Sequence, residues 1–569
     1  MDTLHHNLRP TMYDVRLMAR DPHQPSRERP WLGHALLAGV LVLFAVHSLS
    51  YHRMMVDDAF ISYRYADNLA RGHGLVFNPG ERVEGYSNFT LILLLAPFAR
   101  MGADLLIVSK AIGFLAGLAA ILYTVRLSSH LTGIVEGGCG TSRGLFRFLP
   151  AFFLASSASF ALWTMGGIET SLFAALLLAG LHHYMRWQEP GRARPARDTG
   201  EAPATERAEA GRGAGRATGQ AAASGLLLAA AGMSRPEGIL FAAALALDAM
   251  MRSAERRRLT TSDALWAACV GFPYAAYLGW KLSYYGTIVP NTYYAKVWGG
   301  WALRVKALNY GYEFVMVNGG ALLIVLVGVA LLSCGLARTR PLWLFIGANV
   351  VFVFTAGTDW MPLHRFLVPS LAPVFLLASE GVRTVNDRLK PAGAPSALLP
   401  RRAVVTLLVI AFAGFAYAEE RYSSGNTRGA YRYTGEFAIA DWLRANARQD
   451  QRLAIDSAGI PPYFTRMPTL DILGICDPHI ARRPGYLHDK SDPDYVLAWD
   501  PDFIVLCGSG ESPSEGELLS FEARGYRKPE EDVQRHSAFR AGYEPAALFR
   551  LGMGYGVIYR KKALEAGGR

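Results

Sequence analysis

Charge-poor apolar runs recur along the first three quarters of the chain, near 31–50, 106–125, 148–165, 168–185, 221–233, 237–251, 263–282, 319–337, 341–356, 366–382 and 403–418. A helix of about 20 apolar residues crosses a hydrocarbon core of roughly 30 Å. These eleven runs therefore predict a polytopic α-helical membrane protein of about eleven spans. The apolar stretch Asn88–Ala99 is too short to cross and predicts a re-entrant or interfacial helix. Ala302–Val317, mildly amphipathic with Arg304 and Lys306, predicts a helix lying on the outer surface.

After Ala418 the pattern turns polar, and residues 419–569 are long enough for an independent domain. Phe437, Ile439, Ala440 and Leu443 are spaced for one buried face of a helix over Gly435–Ala447. Arg452–Asp456, Thr469–Leu473 and Phe503–Cys507 are short apolar runs bounded by Gly, Pro and Asp, and predict strands. The expectation is a small α/β domain outside the membrane.

Basic residues orient the spans. Arg126, Arg143, Arg147, the Arg-rich stretch 186–216, Arg252, Arg256 to Arg258, Arg338, Arg340, Arg383, Arg388, Lys390, Arg401 and Arg402 all fall in alternate loops. The positive-inside rule then puts the polar, basic tail 1–30 in the cytoplasm and the C-terminus outside. The formal charge of +11 is accounted for by this bias and does not call for nucleic acid. The Ala/Gly/Arg/Glu-rich loop 187–220 lacks branched apolar residues and predicts cytoplasmic disorder. Of five cysteines, Cys476 and Cys507 share the outer domain, where a disulfide is one option. No cysteine spacing resembles a metal site.

The same orientation brings polar junctions to one face of the membrane. The first outer loop, 51–105, opens with Asp57-Asp58 six residues beyond the first span and continues through Arg64, Asp67 and a Gly-rich turn. Facing the same side are Gly166-Gly-Ile-Glu169, Ser234-Arg235-Pro-Glu237, Tyr284 to Lys296, and Thr358-Asp359-Trp-Met-Pro-Leu-His364-Arg365. Two adjacent carboxylates at a membrane exit point to a site built beside the lipid.

The arrangement resembles the GT-C superfamily of polyprenyl-phosphate-sugar-dependent glycosyltransferases. Within it the chain is most similar to bacterial, mycobacterial-type terminal β-(1→2)-arabinofuranosyltransferases. The resemblance rests on Asp57-Asp-Ala-Phe-Ile-Ser-Tyr-Arg64 through Asn78-Pro-Gly80, on Glu84-Gly-Tyr-Ser-Asn88, Gly167-Ile-Glu-Thr170, Arg235-Pro-Glu-Gly238 and Pro290-Asn-Thr-Tyr-Tyr-Ala-Lys296. It covers most of the membrane body, 31–418, and more loosely Leu453–Arg482. It implies a multi-pass enzyme of the bacterial plasma membrane with an extracytoplasmic site. The donor would be a polyprenyl-phosphate sugar, the sugar an arabinofuranose, and the acceptor a cell-envelope glycan, lipid or protein.

Such an enzyme must take a proton from an acceptor hydroxyl and stabilise a departing phosphate. Asp57 is the first expectation for the base, with Asp58 as its replacement or orienter, since neighbours on a helix point about 100° apart. Arg365, Lys296 and Arg235, with His364 beside them, are the candidates for the phosphate. Snorkelling to the interface is their ordinary alternative. Glu169 and Glu237 should face an aqueous cavity, binding sugar hydroxyls or pairing with Arg235. Tyr86, Asn291, Tyr294 and Asp359 complete the sugar and acceptor set, while Tyr86, Tyr293, Tyr294 and Trp360 fit an aromatic belt equally well. With no second His at ligand spacing, metal independence is favoured over a divalent ion held by His364 with Asp57 or Asp58. A mannosyl- or aminoarabinose-type transferase is the nearest alternative. A transporter of lipid-linked sugars would predict internal repeats and ionisable groups at mid-membrane, which the pattern lacks.

Overall fold

The computed structural model describes residues 30–135, 146–189, 204–296, 300–359, 361–388, 414, 434–486, 489–509, 527–552 and 554–563. Its membrane body is helical. Four helices are long and apolar enough to cross a bilayer: Trp31–Ser50, Leu105–Gly133, Arg338–Ala356 and Arg365–Arg388. Two bent pairs, Ala158–Met165 with Thr170–Trp187 and Gly300–Val317 with Gly320–Ser333, raise the number to six if each pair is one span.

Among the described residues, the helices that pass as continuous apolar spans are fewer than the eleven apolar runs. Continuous apolarity hides breaks that the backbone makes. The run 148–165 divides at Ser157, whose hydroxyl accepts from the Phe160 amide and starts a new helix. The next break is a 116° bend at Gly166-Gly167. Gly167 takes φ +75°, and a Cβ there would meet the Tyr63 hydroxyl at 2.6 Å, so only glycine fits. The Gly238–Arg256 helix buries Asp248 among Arg252, Arg340 and Tyr184, which lowers its apolarity. Residues 204–220, expected to be disordered, form the first half of the helix Ala204–Ser234. Their Ala and Glu content favours helix even where nothing branched is available to bury. The expected span 403–418 lies outside the described residues, apart from Gly414. Phe89–Arg100 is a 12-residue helix with Leu91, Ile92 and Leu95 turned inward, and Gly300–Val317 is helical as anticipated for 302–317.

The C-terminal domain is a five-stranded mixed sheet in the order β2-β1-β3-β5-β4. The strands are β1 Leu453–Ile455, β2 Thr469–Asp471, β3 Phe503–Ser509, β4 Tyr543–Leu551 and β5 Gly554–Lys561. β1 runs parallel to β2 and β3, whereas β5 is antiparallel to β3 and β4. Side chains alternate between two cores, as a period of two requires. Leu453, Ile455, Phe503, Val505 and Ile558 meet Ile439 and Leu443 of the helix Thr434–Asn446, while Ala454, Leu470, Ile504, Leu506, Val557 and Tyr559 fill the other face. Cys476 and Cys507 are free thiols, which removes the disulfide option. Cys476 packs with the membrane body and Cys507 lies in β3, so they serve different layers.

The domain buries a group of acids. Glu530 is fully buried, and neither of its oxygens meets a hydrogen-bond donor among the described residues. Burial, with Asp456 adding like-charge repulsion, pushes its pKa up to about 8. Glu436 is pushed up to about 7 by burial. Both native pKa values lie above the ordinary carboxyl value, so the stabilising proton is held fully below about pH 4 and lost as pH rises through 7 to 8. Amide-exchange protection of β3 in the whole protein should accordingly fall between about pH 4.5 and 8. Glu530→Gln should flatten that fall, and an unchanged pH profile in this variant would show that the proton lies elsewhere.

Candidate functional site

The helix Asp57–Ala70 carries the acidic pair and presents two faces. Asp57, Phe60 and Arg64 follow one another at helical spacing and turn toward the C-terminal domain. The Asp57 carboxylate accepts from the amides of Gly459 (3.0 Å) and Ile460 (2.7 Å), at the start of the helix Ile460–Thr465. Gly459 is required, because a Cβ there would lie 2.6 Å from the Asp57 carboxyl carbon. Phe60 packs on Tyr463 and Phe437. Arg64 is buried, and its guanidinium donates to the carbonyls of Phe77, Pro462 and Met467 and to Asn78 Oδ1. Asn78 in turn accepts from the Thr469 amide and donates to its carbonyl. This face is a clasp between the loop 51–105 and the C-terminal domain.

Asp58 and Ser62, four residues apart, occupy the second face. Ser62 hydrogen-bonds Asn88, and Asn88 donates to Glu169 Oε2 at 2.9 Å. Glu169 is paired at 2.7 Å with Arg235, which also holds Glu237. Arg365 pairs with Asp359 at 2.6 Å. Both guanidinia lie against the ring of Phe366, at 5.1 and 5.3 Å. Five predicted residues from three junctions therefore do converge. Two guanidinia against three carboxylates give this cluster a formal charge of −1, so its cations are already neutralised. The geometry is that of a buried network organising the bundle.

Lys296 differs. Its Nζ is 3.7 Å from Asp58 Oδ2, and the two side chains keep 32% and 25% of their surface. Among the predicted cations it is the most exposed, with a loose, mobile ion pair that a ligand could displace. His364 is turned away from this place: its Nε2 lies 3.4 Å from Glu313, its ring packs on Tyr310, and burial holds it below the ordinary imidazole range. Burial also pushes Asp57 up to about 8, against the two amide donors and helped by Asp58.

Three expected sugar contacts have other duties. Asn291 donates to the carbonyls of Gly474, Ile475 and Asp477 at 2.9, 3.0 and 3.2 Å. Tyr86 is only 3% exposed, against Tyr65 and the Tyr285 hydroxyl, and Asp359 is spent on Arg365. Tyr294 is half-buried with Arg482 5.0 Å from its ring, and Tyr293 is exposed. Trp360 lies outside the described residues. Sequence reasoning missed the buried pair Lys281–Glu84, 2.7 Å apart, and the clasp residues Asn78, Gly459 and Lys490. The only sequence signal for Lys281 was a Lys inside an apolar run. Among the described residues no group of three His, Cys, Asp or Glu is arranged to hold a metal ion.

With this geometry in view, the likeness to solved structures is informative about fold. ArnT from Cupriavidus metallidurans, bound to undecaprenyl phosphate, superposes with a TM-score of 0.52 at 12% identity, covering 95% of this chain and 99% of that one. The Archaeoglobus fulgidus oligosaccharyltransferase, in complex with Zn and sulfate, gives 0.55 at 13% identity, covering 89% and 78%. The chain shares the fold of these two proteins. The arabinofuranosyltransferase AftD from Mycobacteria gives 0.47 at 15% identity, covering 95% of this chain and 42% of that one, too low to bear on the sugar. A family model described as a domain of unknown function (DUF8728) matches residues 422–562, the C-terminal domain. No curated protein sequence matches the chain significantly.

Proposed function

We propose that this protein is a membrane glycosyltransferase that moves a sugar from a polyprenyl phosphate to an acceptor hydroxyl on the outer side of a bacterial plasma membrane. Asp58 is the general base and Lys296 the cation that meets the leaving phosphate. The observation that carries this reading is the partly exposed Asp58–Lys296 pair at 3.7 Å, beside an Asp57 whose two oxygens are occupied by backbone amides. A base needs a lone pair open toward the acceptor, and Asp58 has one.

The step balances without a further reactant. The acceptor hydroxyl gives its proton to the Asp58 carboxylate while its oxygen bonds the anomeric carbon. The bond from that carbon to the phosphate oxygen breaks, its electron pair leaves on the phosphate, and Lys296 moves from Asp58 to the new charge. Placing attack and departure at one Asp–Lys pair lets binding of the phosphate free the base.

The sugar in this reading is arabinofuranose and the acceptor a cell-envelope glycan, lipid or protein, on the strength of the motif resemblance from Asp57 to Lys296. Incubating the purified protein with a panel of decaprenyl- and undecaprenyl-phosphate sugars tests it. Arabinofuranosyl donors should be consumed in preference to mannosyl or aminoarabinosyl ones. Consumption of none, with any acceptor offered, would remove the transferase reading.

A further inference from the structure

Lys296 ends a helix of six residues, Asn291–Lys296, too short to hold itself in water or at an interface. Its placement must come from contacts: the Asn291 backbone amide donates to the Glu84 carbonyl at 2.9 Å, and several more contacts come from the C-terminal domain. Asn291 at its start gives its amide to three carbonyls of the segment 474–477. Near its end the Tyr294 carbonyl accepts from Lys490 Nζ at 3.0 Å. The same ammonium donates to the carbonyls of Ala481 (2.5 Å) and Arg483 (2.8 Å). Lys490 is 1% exposed. An ammonium carries three donors, and these three carbonyls match them. It joins two strands of chain inside the domain to the backbone two residues before Lys296.

The opposite partner is held by the same domain. Asp58 follows Asp57, which is fixed by the Gly459 and Ile460 amides, and Arg64 and Asn78 extend that clasp to Pro462, Met467 and Thr469. Asp58 and Lys296 thus stand on two separate outer segments, each tied to one rigid sheet domain. We infer that the C-terminal domain is the clamp that sets Lys296 opposite Asp58, with Lys490 and Asn291 as positioning residues. The inference rests on the transferase reading above and gives the domain of unknown function a role in it. The domain contributes no group to the reaction itself; it fixes where the phosphate cation stands.

A double-mutant cycle in the full-length protein tests this, read as donor KM, acceptor KM and kcat with a polyprenyl-phosphate sugar. Lys490→Met should raise the donor KM about ten- to a hundredfold, the worth of a charged hydrogen bond, and leave the acceptor KM unchanged. In a Lys296→Met background the same change should cost nothing more, because the group it positions is gone. Lys490→Arg, which keeps the charge and the donors, should recover part of the loss. Equal losses in both backgrounds, or a fall in kcat with donor KM unmoved, would overturn the inference and leave Lys490 a purely structural residue. Asn291→Ser supplies the same cycle if Lys490→Met does not fold. Wild-type protein that transfers nothing points instead to failure of the transferase reading. In that case undecaprenyl phosphate binding alone, measured across the same four proteins, still decides the coupling.

Discussion

Asp58→Asn should lower sugar transfer by about 10²- to 10⁴-fold, the usual worth of a positioned general base, without changing expression or thermal stability. The side chain keeps its size and loses the charge that Lys296 faces, and among the described residues its carboxylate makes no other close polar contact. Asp57→Asn should behave differently. Its amide can still accept one of the two N–H groups of Gly459 and Ile460 but offers its own N–H to the other. The expected result is a partial loss of transfer together with faster proteolysis or amide exchange in the 459–467 segment. Parallel kinetics and limited proteolysis on the two variants separate base from clasp. If Asp57→Asn abolishes transfer with its clasp intact while Asp58→Asn stays active, the roles are reversed.

The second large effect is on stability. Arg235→Met removes the guanidinium that pairs with both Glu169 and Glu237 and leaves two buried carboxylates without that partner. Breaking one buried pair typically costs about 3–5 kcal/mol, enough to unfold a marginal protein. Arg235→Met should therefore fail to accumulate in the membrane or lose its thermal transition. Lys296→Met, by contrast, should fold like wild type with a raised donor KM. For Arg235 the contrast discriminates phosphate binding from pairing with the two glutamates. A stable Arg235→Met protein with a raised donor KM would return Arg235 to the phosphate site.

The polar junctions of the sequence come together in the fold. Glu169, Arg235, Glu237, Asp359 and Arg365 were each visible as charges at span ends, and they do meet. What the pattern could not supply was their stoichiometry. Three acids on two guanidinia make a closed network, whereas a list of Arg residues suggests open phosphate ligands. Asn291 shows the same limit: a polar residue in a motif can as well be holding three carbonyls of another domain as a sugar hydroxyl. The strands β4 and β5 escaped notice because β4 is half-buried and carries Glu544, Pro545 and Arg550, so its alternation is weak. The apolar runs and the helices differ in extent for a related reason. Hydropathy sums side chains and is blind to backbone breaks at Ser157 and Gly167.

The amino-acid sequence by itself determined that this is a polytopic helical membrane protein with a small mixed α/β domain at its C-terminus, because apolar run length and the switch to short bounded strands are local properties. It also singled out the pair Asp57-Asp58. Only the tertiary structure separated the surroundings of the two. A helix turns neighbouring residues about 100° apart. Which of the two faces meets Gly459 and which meets Lys296 depends on a domain that begins some 360 residues later in the chain, and no local pattern encodes that contact.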